Sequence, residues 1–254
     1  MTTTLIVLAH PEGRSFNGAW AEASRQACLA AGDTVLFTDL ERLGFDAVES
    51  VRHFAGWPAQ TPFDPLKAQA GASLSQGLPA DVSAEIAKLR AADRVIFHFP
   101  IWWFAPPAVL KGWLDRVLAH EETHTVEQRF DSGQFRGRSA LFCVTTGSQA
   151  AESGPDGKEG DIRLLLWPLA YTLRYLGFDV WEPEIIHGVH GYHRDAKRLA
   201  LESRLAAALA AQGDLIAGLP RRPLLPFNAD SDFDAEGRLR PDRPSHTPFI
   251  RHPG

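Results

Sequence analysis

One segment of the 254-residue chain combines side chains that could bind a phosphate group: His10–Asn17, directly before an Ala-rich stretch that is typical of a helix. Ser15 and Asn17 offer hydroxyl and amide groups beside the free N–H groups of the expected helix start, where the helix dipole favours an anion. Ordinary N-capping explains these two residue types about equally well. Neither a GxGxxG nor a Walker sequence is present, so the segment is a phosphate site in outline only.

A second segment, Pro100–Pro107, places three aromatic and three proline residues in eight positions. A stiff loop of this composition can hold a planar wall and fix the directions of its backbone N–H groups. A flat heteroaromatic ring such as isoalloxazine needs both, because its faces stack on aromatic rings and its heteroatoms accept hydrogen bonds. The alternative is that these aromatic residues only cap the hydrophobic core.

A third segment, Thr145–Gln149, consists of small and hydroxyl-bearing residues followed by a glutamine. Small residues allow the backbone to approach a ligand closely, and the hydroxyl groups offer hydrogen-bond donors. Alone, this segment predicts a turn and nothing more. Together, the three segments describe a site for a nucleotide-type cofactor better than a site for a metal or a sugar.

The sequence also contains an H-E-x-x-H motif, from His120 through Glu121 to His124. On a helix, this spacing places two imidazoles on one face for zinc, with the glutamate as base. His187, His190 or His193 could supply a third ligand. The motif begins where the helix after Pro107 is expected to end, so we interpret these histidines as residues of a helix end and loop. No metal is predicted, and a zinc hydrolase is kept as a remote alternative.

The elements that must position these segments follow from the apolar pattern, in which short buried strands alternate with helices. Apolar strands joined by helices predict a mostly parallel sheet that is covered on both faces, which is a doubly wound α/β fold. Strands are expected at Leu5–Ala9, Thr34–Thr38, Arg94–Phe99, Ser139–Thr145 and Phe178–Ile186, and helices at Gly18–Ala31, Val82–Ala92, Pro106–Leu118, Ile162–Tyr175 and Arg194–Gln212. With strand order 2-1-3-4-5, the ligand crevice lies beyond strands one, three and four, where the three segments stand.

Two stretches interrupt this alternation. Gly44–Asp81 is a long connection, and such a connection is usually functional or carries short helices of its own. From Gly213 onward, repeated prolines exclude long helices and central strands. We therefore predict an α/β domain with the cofactor site at residues 1–212 and a Pro-rich segment at 213–254, either a disordered tail or an arm packed on a partner subunit. The apolar residues of that segment slightly favour the arm: Leu224, Leu225, Phe227, Phe233 and Phe249.

Composition narrows the class of protein. The formal net charge is -5 and no Lys/Arg block stands out, so duplex nucleic acid is not an expected partner. Cys28 and Cys143 are interpreted as core thiols in a reducing compartment. The apolar run Leu5–Ala9 is too short for a signal peptide or a membrane span. We expect a cytoplasmic protein that is not inserted in a membrane.

The chain resembles the flavodoxin-like NAD(P)H:quinone oxidoreductases, which comprise the DT-diaphorase group and bacterial relatives such as the modulator-of-drug-activity quinone reductases. The match runs from Leu5 to about Glu184. It is carried by LIVLAHPEGRSFN at 5–17, AADRVIFHFPIWWFAPPAVLKGWLDRV at 91–117, TTGS at 145–148, GDIRLLLWP at 160–168 and GFDVWEP at 177–183. Several matches in the same order make the resemblance specific.

The resemblance implies three groups of cofactor-binding residues. The residues that would bind the flavin phosphates are His10, Ser15, Phe16 and Asn17. Those that would line the isoalloxazine ring are Pro100, Ile101, Trp102, Trp103 and Phe104. Those that would support its pyrimidine side are Thr145, Thr146, Gly147 and Ser148. The main-chain amides of Trp103 and Phe104 would lie near the reactive edge of the ring. The implied cofactor is FAD, with FMN as the alternative.

The resemblance also implies an activity and an assembly. Hydride would pass from NADPH or NADH through flavin N5 to a quinone or similar aromatic acceptor, in a ping-pong cycle that delivers two electrons together. Family members are usually homodimers with sites at the subunit interface. Some relatives are flavin-binding regulatory subunits of membrane transporters, and that role is the alternative function.

Several positions depart from the family pattern. Where DT-diaphorase enzymes have a tyrosine and a histidine that stabilise charge on the reduced flavin, this chain has Ser153 and Glu159. Two further family tyrosines, one of which lines the acceptor pocket, fall at His124 and Val126. No catalytic side chain is therefore assigned. The candidates for the acceptor pocket are Trp103, Phe104 and His124.

Overall fold

A parallel β-sheet forms the centre of the protein, which we describe for residues 1–253 from a computed structural model. Its strands are β1 (Thr3–Leu8), β2 (Thr34–Asp39), β3 (Arg94–Pro100), β4 (Ser139–Thr145), β5 (Asp179–Val180) and β6 (Glu184–Ile186). The strand order is β2-β1-β3-β4-β5, and β6 also pairs with β4. All of these pairings are parallel, so the predicted doubly wound sheet with order 2-1-3-4-5 is confirmed.

The fifth predicted strand, Phe178–Ile186, is divided into β5 and β6. Asp179 and Trp181 donate their N–H groups to the β4 side, to Arg138 and Ala140, whereas the N–H of Glu182 points to the other side of the strand and bonds to the carbonyl of Pro223 at 2.8 Å. The next residue is Pro183, which has no N–H to donate. The ladder therefore breaks there and resumes at Glu184.

Seven helices accompany the sheet in the described residues. They are α1 (Phe16–Ala30), α2 (Pro65–Leu74), α3 (Ala80–Ala91), α4 (Ala108–Val117), α5 (Ile162–Tyr175), α6 (Asp195–Ala210) and α7 (Gln212–Gly218). The helix α2 lies within the long connection Gly44–Asp81, as predicted for a connection of that length. None of the helices in residues 1–253 combines the length and apolar character needed to cross a membrane.

The two faces of the sheet are covered by different helices. On one face, Leu5 and Val7 of β1 join a core with α3, α4 and α5. On the other face, Ile6 and Leu8 pack in a core with α1 and α7. Both faces of β1 are buried, which explains why this strand is continuously apolar and does not alternate with polar residues.

The C-terminal segment packs on its own domain. Leu225 donates its N–H to the Val180 carbonyl at 2.7 Å, so the segment pairs with the β5 edge. Farther along, the ring of Phe249 stacks on Trp167 with centroids 4.6 Å apart. These residues of the segment thus contact the domain, and whether the segment also packs on a partner subunit stays a prediction. The domain boundary at residue 212 stays a prediction, and α7 begins at that residue.

A buried polar network connects α7 to the core. Gln212 donates from Nε2 to Ser24 Oγ at 2.8 Å and accepts from Trp20 Nε1 at 2.7 Å. Ser24 Oγ in turn lies 2.9 Å from His98 Nε2 on β3. His98 is 0% exposed, and burial lowers the pKa of its imidazole to about 3.

Candidate active site

Three loops meet at the carboxyl edge of the sheet, after β1, β3 and β4. His10 and Trp102 from the first two loops are in edge contact, with ring centroids 5.5 Å apart. Asn17 donates from Nδ2 to Thr145 Oγ1 at 2.9 Å, and Ile101 donates its N–H to the Thr145 carbonyl at 2.8 Å. The fold therefore brings together the three segments that the sequence singled out.

The loop before α1 is held by local hydrogen bonds. Ser15 Oγ accepts the N–H of Gly18 at 3.2 Å, which makes Ser15 the N-cap of the helix. Glu12 donates its N–H to His10 Nδ1 at 3.0 Å. Burial lowers the pKa of His10, so the ring acts as a neutral acceptor at neutral pH. N-capping thus explains Ser15, and the phosphate role has to be supported by other groups.

Those other groups are the backbone amides of the first turn. Within residues 1–253, the N–H groups of Phe16 and Asn17 have no acceptor, and both stand at the positive end of α1. The amide oxygen Oδ1 of Asn17 is also buried without a partner in the described residues. A buried polar atom of this kind is uncommon unless a ligand completes it. The loop can therefore hold an anion beside a hydroxyl-bearing group.

The loop can close tightly because two glycines meet in it. A Cβ added at Gly18 would lie 2.1 Å from the carbonyl oxygen of Gly13, which no real contact allows. A Cβ added at Gly13 would meet nothing within 4 Å. Gly18 is thus required where the helix begins against its own loop.

After β3, the residues Trp103 and Phe104 occupy the centre of a tight hairpin turn. Trp102 and Ala105 exchange both backbone hydrogen bonds, at 2.9 and 3.1 Å. The φ angles of Trp103 and Phe104 are 50° and 62°, in the left-handed region that such turns normally fill with asparagine or glycine. This conformation costs on the order of 1–2 kcal/mol per residue, and strain of this kind is concentrated at ligand sites.

The turn leaves its own amides available. Within residues 1–253, the N–H groups of Trp103 and Phe104 have no acceptor. The two side chains are 94% and 53% exposed, which is unusual for large apolar residues. They are therefore presented to a ligand or a partner and are not caps on the core.

A cleft of about 410 Å³ separates this turn from the loop after β4. Six of the predicted site residues line this cleft: Ile101, Trp103, Phe104, Thr146, Gly147 and Ser148. Glu152, Ser153 and Glu159 also line the cleft, so the positions that depart from the family pattern face it. Its volume lies in the range of small-molecule sites.

Hydrogen bonds fix the polar wall of the cleft. Thr146 Oγ1 donates to the carbonyl of Ser148 at 2.9 Å, so its oxygen accepts from Nδ1 of His187, also at 2.9 Å. Ser148 Oγ and Ser153 Oγ are 2.6 Å apart. Sequence reasoning considered His187 only as a metal ligand, because nothing local to it indicates that Thr146 is its neighbour.

The remaining predicted residues lie outside the cleft. Pro100 and Thr145 are buried at the ends of their strands, and Phe16 packs on Trp20 with centroids 5.5 Å apart. His124, a candidate for the acceptor pocket, contacts His120 and Tyr175 instead of the cleft of its own chain. Of the acceptor candidates, Trp103 and Phe104 thus line the cleft, whereas His124 does not.

The helical geometry that a zinc site requires is not present. The helix α4 ends at Val117, before the H-E-x-x-H motif begins. His120 and His124 lie in a turn that is closed by the N–H of Glu121 donating to the His124 carbonyl at 2.9 Å. Across residues 1–253, no group of three His, Cys, Asp or Glu side chains is arranged to hold a metal ion. The zinc hydrolase alternative is therefore not supported.

The sequence of this chain is similar to those of known proteins. Residues 2–210 match the family described as having a Flavodoxin-like fold. A rat protein, NAD(P)H dehydrogenase (quinone) 1, is 36% identical over 200 residues, which cover 78% of this chain and 73% of the relative. A mouse ribosyldihydronicotinamide dehydrogenase (quinone) is 35% identical over 78% of this chain and 87% of its own length.

A solved structure extends the likeness over more of the chain. A Klebsiella pneumoniae protein assigned as a quinone reductase superposes with a TM-score of 0.84 at 31% identity, covering 95% of each chain. Coverage of this extent requires that part of the C-terminal segment beyond residue 212 also superposes.

Proposed function

Because the chain belongs to the family with the Flavodoxin-like fold, we propose that it is a flavin-dependent NAD(P)H dehydrogenase acting on quinones. The named rat and mouse relatives are quinone dehydrogenases, and each aligns with 78% of this chain. The observation in this chain that carries the proposal is the strained turn at Trp103 and Phe104, which offers free amides and aromatic faces to a cleft. The relatives favour this role over a transporter subunit.

The residues at the sheet edge fit a flavin. Free amides at the start of α1 suit a phosphate, and the orphaned oxygen of Asn17 suits a hydroxyl donor such as a ribityl group. The indole and phenyl faces of Trp103 and Phe104 suit a flat ring, and their amides suit its heteroatoms. When bound, a flavin supplies two-electron transfer between a reduced nicotinamide and a quinone.

The protein's own residues bind and orient in this scheme. Thr146, fixed by His187, and Ser148, fixed by Ser153, present a rigid polar wall. Trp103 provides the opposing flat surface and remains accessible to substrates from solvent. A cleft of about 410 Å³ leaves little room beside a flavin, so we propose that donor and acceptor occupy it in turn. Preorganised positioning of this kind supplies the rate gain that the protein adds to its cofactor.

A homodimer is proposed from the apolar surface beside the cleft. An apolar groove of about 490 Å³ runs between α4 and α5, and it includes Phe104, Leu114 and Leu169. Continuous apolar surface of this type marks interaction sites on soluble proteins. A second copy packed there would cover Phe104 and close the cleft from outside. Separately, the cytoplasmic location of the protein stays a prediction.

The visible spectrum of the purified protein tests the function. We expect flavin absorption, either as purified or after addition of FAD, and loss of the oxidised flavin band on anaerobic addition of NADPH or NADH. Oxidation by a naphthoquinone should then restore the band. We propose FAD as the flavin, and chromatography of the extracted cofactor distinguishes FAD from FMN. A folded protein that binds neither flavin would contradict the proposal.

A further inference from the structure

The polar side of the cleft carries negative charge. Glu152 and Glu159 both line it, and no Lys, Arg or His side chain does so in the part of the chain that is described. The surrounding loop, residues 146–161, contains four carboxylates and one ammonium group: Glu152, Asp156, Glu159 and Asp161 against Lys158. A substrate entering the cleft therefore meets an excess of negative charge.

The two lining carboxylates differ in their partners. Glu152 accepts the N–H of Gln149 at 3.0 Å and lies 3.2 Å from Lys158 Nζ. These two hydrogen bonds lower the pKa of Glu152, so its charge is present but locally balanced. The carboxylate of Glu159 makes no ion pair anywhere in residues 1–253, although its backbone N–H is bonded to the Glu152 carbonyl at 2.9 Å. The unbalanced charge therefore belongs to Glu159.

We propose that Glu159 selects the acceptor by charge, so that the cleft takes neutral and cationic quinones and disfavours quinones bearing a sulfonate or carboxylate. The inference rests on the proposed quinone reductase function and specifies the acceptor class of that same cleft. Glu159 acts here as a specificity determinant, and no bond is made or broken by its side chain.

The size of the effect follows from the dimensions of the cleft. A space of about 410 Å³ brings a bound quinone within roughly 10 Å of a lining side chain, about one Debye length at 0.1 M salt. Repulsion between two partly exposed charges at that separation changes binding by on the order of five- to tenfold. In about 1 M salt, where the Debye length falls to roughly 3 Å, most of this discrimination should disappear.

The test uses three naphthoquinones that differ in charge: 2-methyl-1,4-naphthoquinone, its sulfonate analogue and an analogue with a trimethylammonium substituent. We compare kcat/KM for the flavin-loaded protein and its Glu159→Gln variant, and express each acceptor as a variant-to-wild-type ratio. This ratio cancels the different reactivities of the quinones. The ratio should rise about five- to tenfold for the anion, stay near one for the neutral quinone and fall for the cation. The change should lie mainly in KM.

Glu41→Gln is the matched control, because Glu41 is exposed, lies outside the cleft lining and makes no ion pair in the described residues. It should leave all three ratios near one. Equal shifts for the three quinones in Glu159→Gln, or an effect that persists in about 1 M salt, would overturn charge selection. If the wild-type protein reduces no quinone of any charge, the proposed function itself fails, and the two failures are thus distinguishable.

Discussion

Trp103 and Phe104 adopt a backbone conformation that does not favour stability. Both have left-handed backbone conformations, and Trp103 is 94% exposed, so its side chain contributes little packing to its own chain. A sequence optimised only for folding would place asparagine and glycine in this turn. The aromatic pair occupies this turn although it is strained, and strain of this kind is typical of ligand-binding sites.

Trp103→Gly should separate stability from activity. Removing the strain should raise the free energy of unfolding by about 1 kcal/mol or leave it unchanged, while loss of the aromatic surface lowers kcat/KM about five- to tenfold. Urea unfolding of the flavin-free protein and steady-state kinetics measure the two effects.

Gln76 provides the control for this prediction. It is exposed, has a φ of 56° and lies outside the cleft. Gln76→Gly should relieve similar strain with no loss of activity. Unchanged kinetics in Trp103→Gly would argue against the aromatic wall.

Residue types, but not residue pairings, could be predicted at this scale. Ser15, Asn17 and Trp103 were predicted in loops that follow strands, and the structure places those loops at one edge of the sheet. The bond between Thr146 and His187 joins residues 41 positions apart in sequence, and no local pattern encodes it. The left-handed turn was also missed, because its sequence contains none of the glycine or asparagine residues that normally indicate one.

At the scale of elements, the packing of α1 against its own preceding loop is the most sensitive feature of the site. Gly18→Ala places a Cβ against the Gly13 carbonyl, so the loop must move. Overpacking of this kind costs about 1–3 kcal/mol. We expect a comparable loss of flavin affinity, about ten- to hundredfold, measured by titration of the flavin-free protein with FAD.

Gly13→Ala is the companion variant, because its Cβ meets nothing within 4 Å. It should bind FAD with nearly wild-type affinity. Equal affinities of the two variants would show that the loop geometry is not what positions the phosphate group.

Elements with a strong local pattern were predictable, whereas their contacts with distant segments were not. The first four predicted strands are all present, with ends that differ from the prediction by at most two residues, because continuous apolar runs specify buried parallel strands. The division between β5 and β6 falls at Pro183, inside the predicted strand, because proline lacks the N–H that would bond to β4. The bond from Glu182 to Pro223, on the other side of the strand, could not be predicted, because it forms only after the C-terminal segment has folded against β5.

For the whole molecule, His98 should make stability depend on pH. Its pKa is about 3 in the folded protein against the ordinary value of 6.5 for a histidine in the unfolded chain, because burial disfavours the charged ring. Between these values the unfolded chain binds a proton that the folded protein does not. The contribution of neutral His98 to the free energy of unfolding is therefore fully present above pH 6.5. Below that pH the free energy of unfolding falls by about 1.4 kcal/mol per pH unit, until about pH 3.

Urea unfolding at a series of pH values measures this slope. His98→Gln should lower stability at neutral pH, since the Ser24 network is disturbed, and should flatten the decline below pH 6.5. His246→Gln, at an exposed position, should keep the wild-type slope. An unchanged slope in His98→Gln would assign the acid sensitivity to other groups.

The pairing of Leu225 with Val180 has a consequence for behaviour in concentrated solution. A short strand at the rim of a sheet presents unpaired N–H and C=O groups that can template association with other chains. Here the polypeptide's own C-terminal segment occupies that rim, through Leu225 to Val180 and Glu182 to Pro223. The segment thus covers an edge that could otherwise pair with another chain, and the prolines that exclude central strands from it also make it a poor template for further strands.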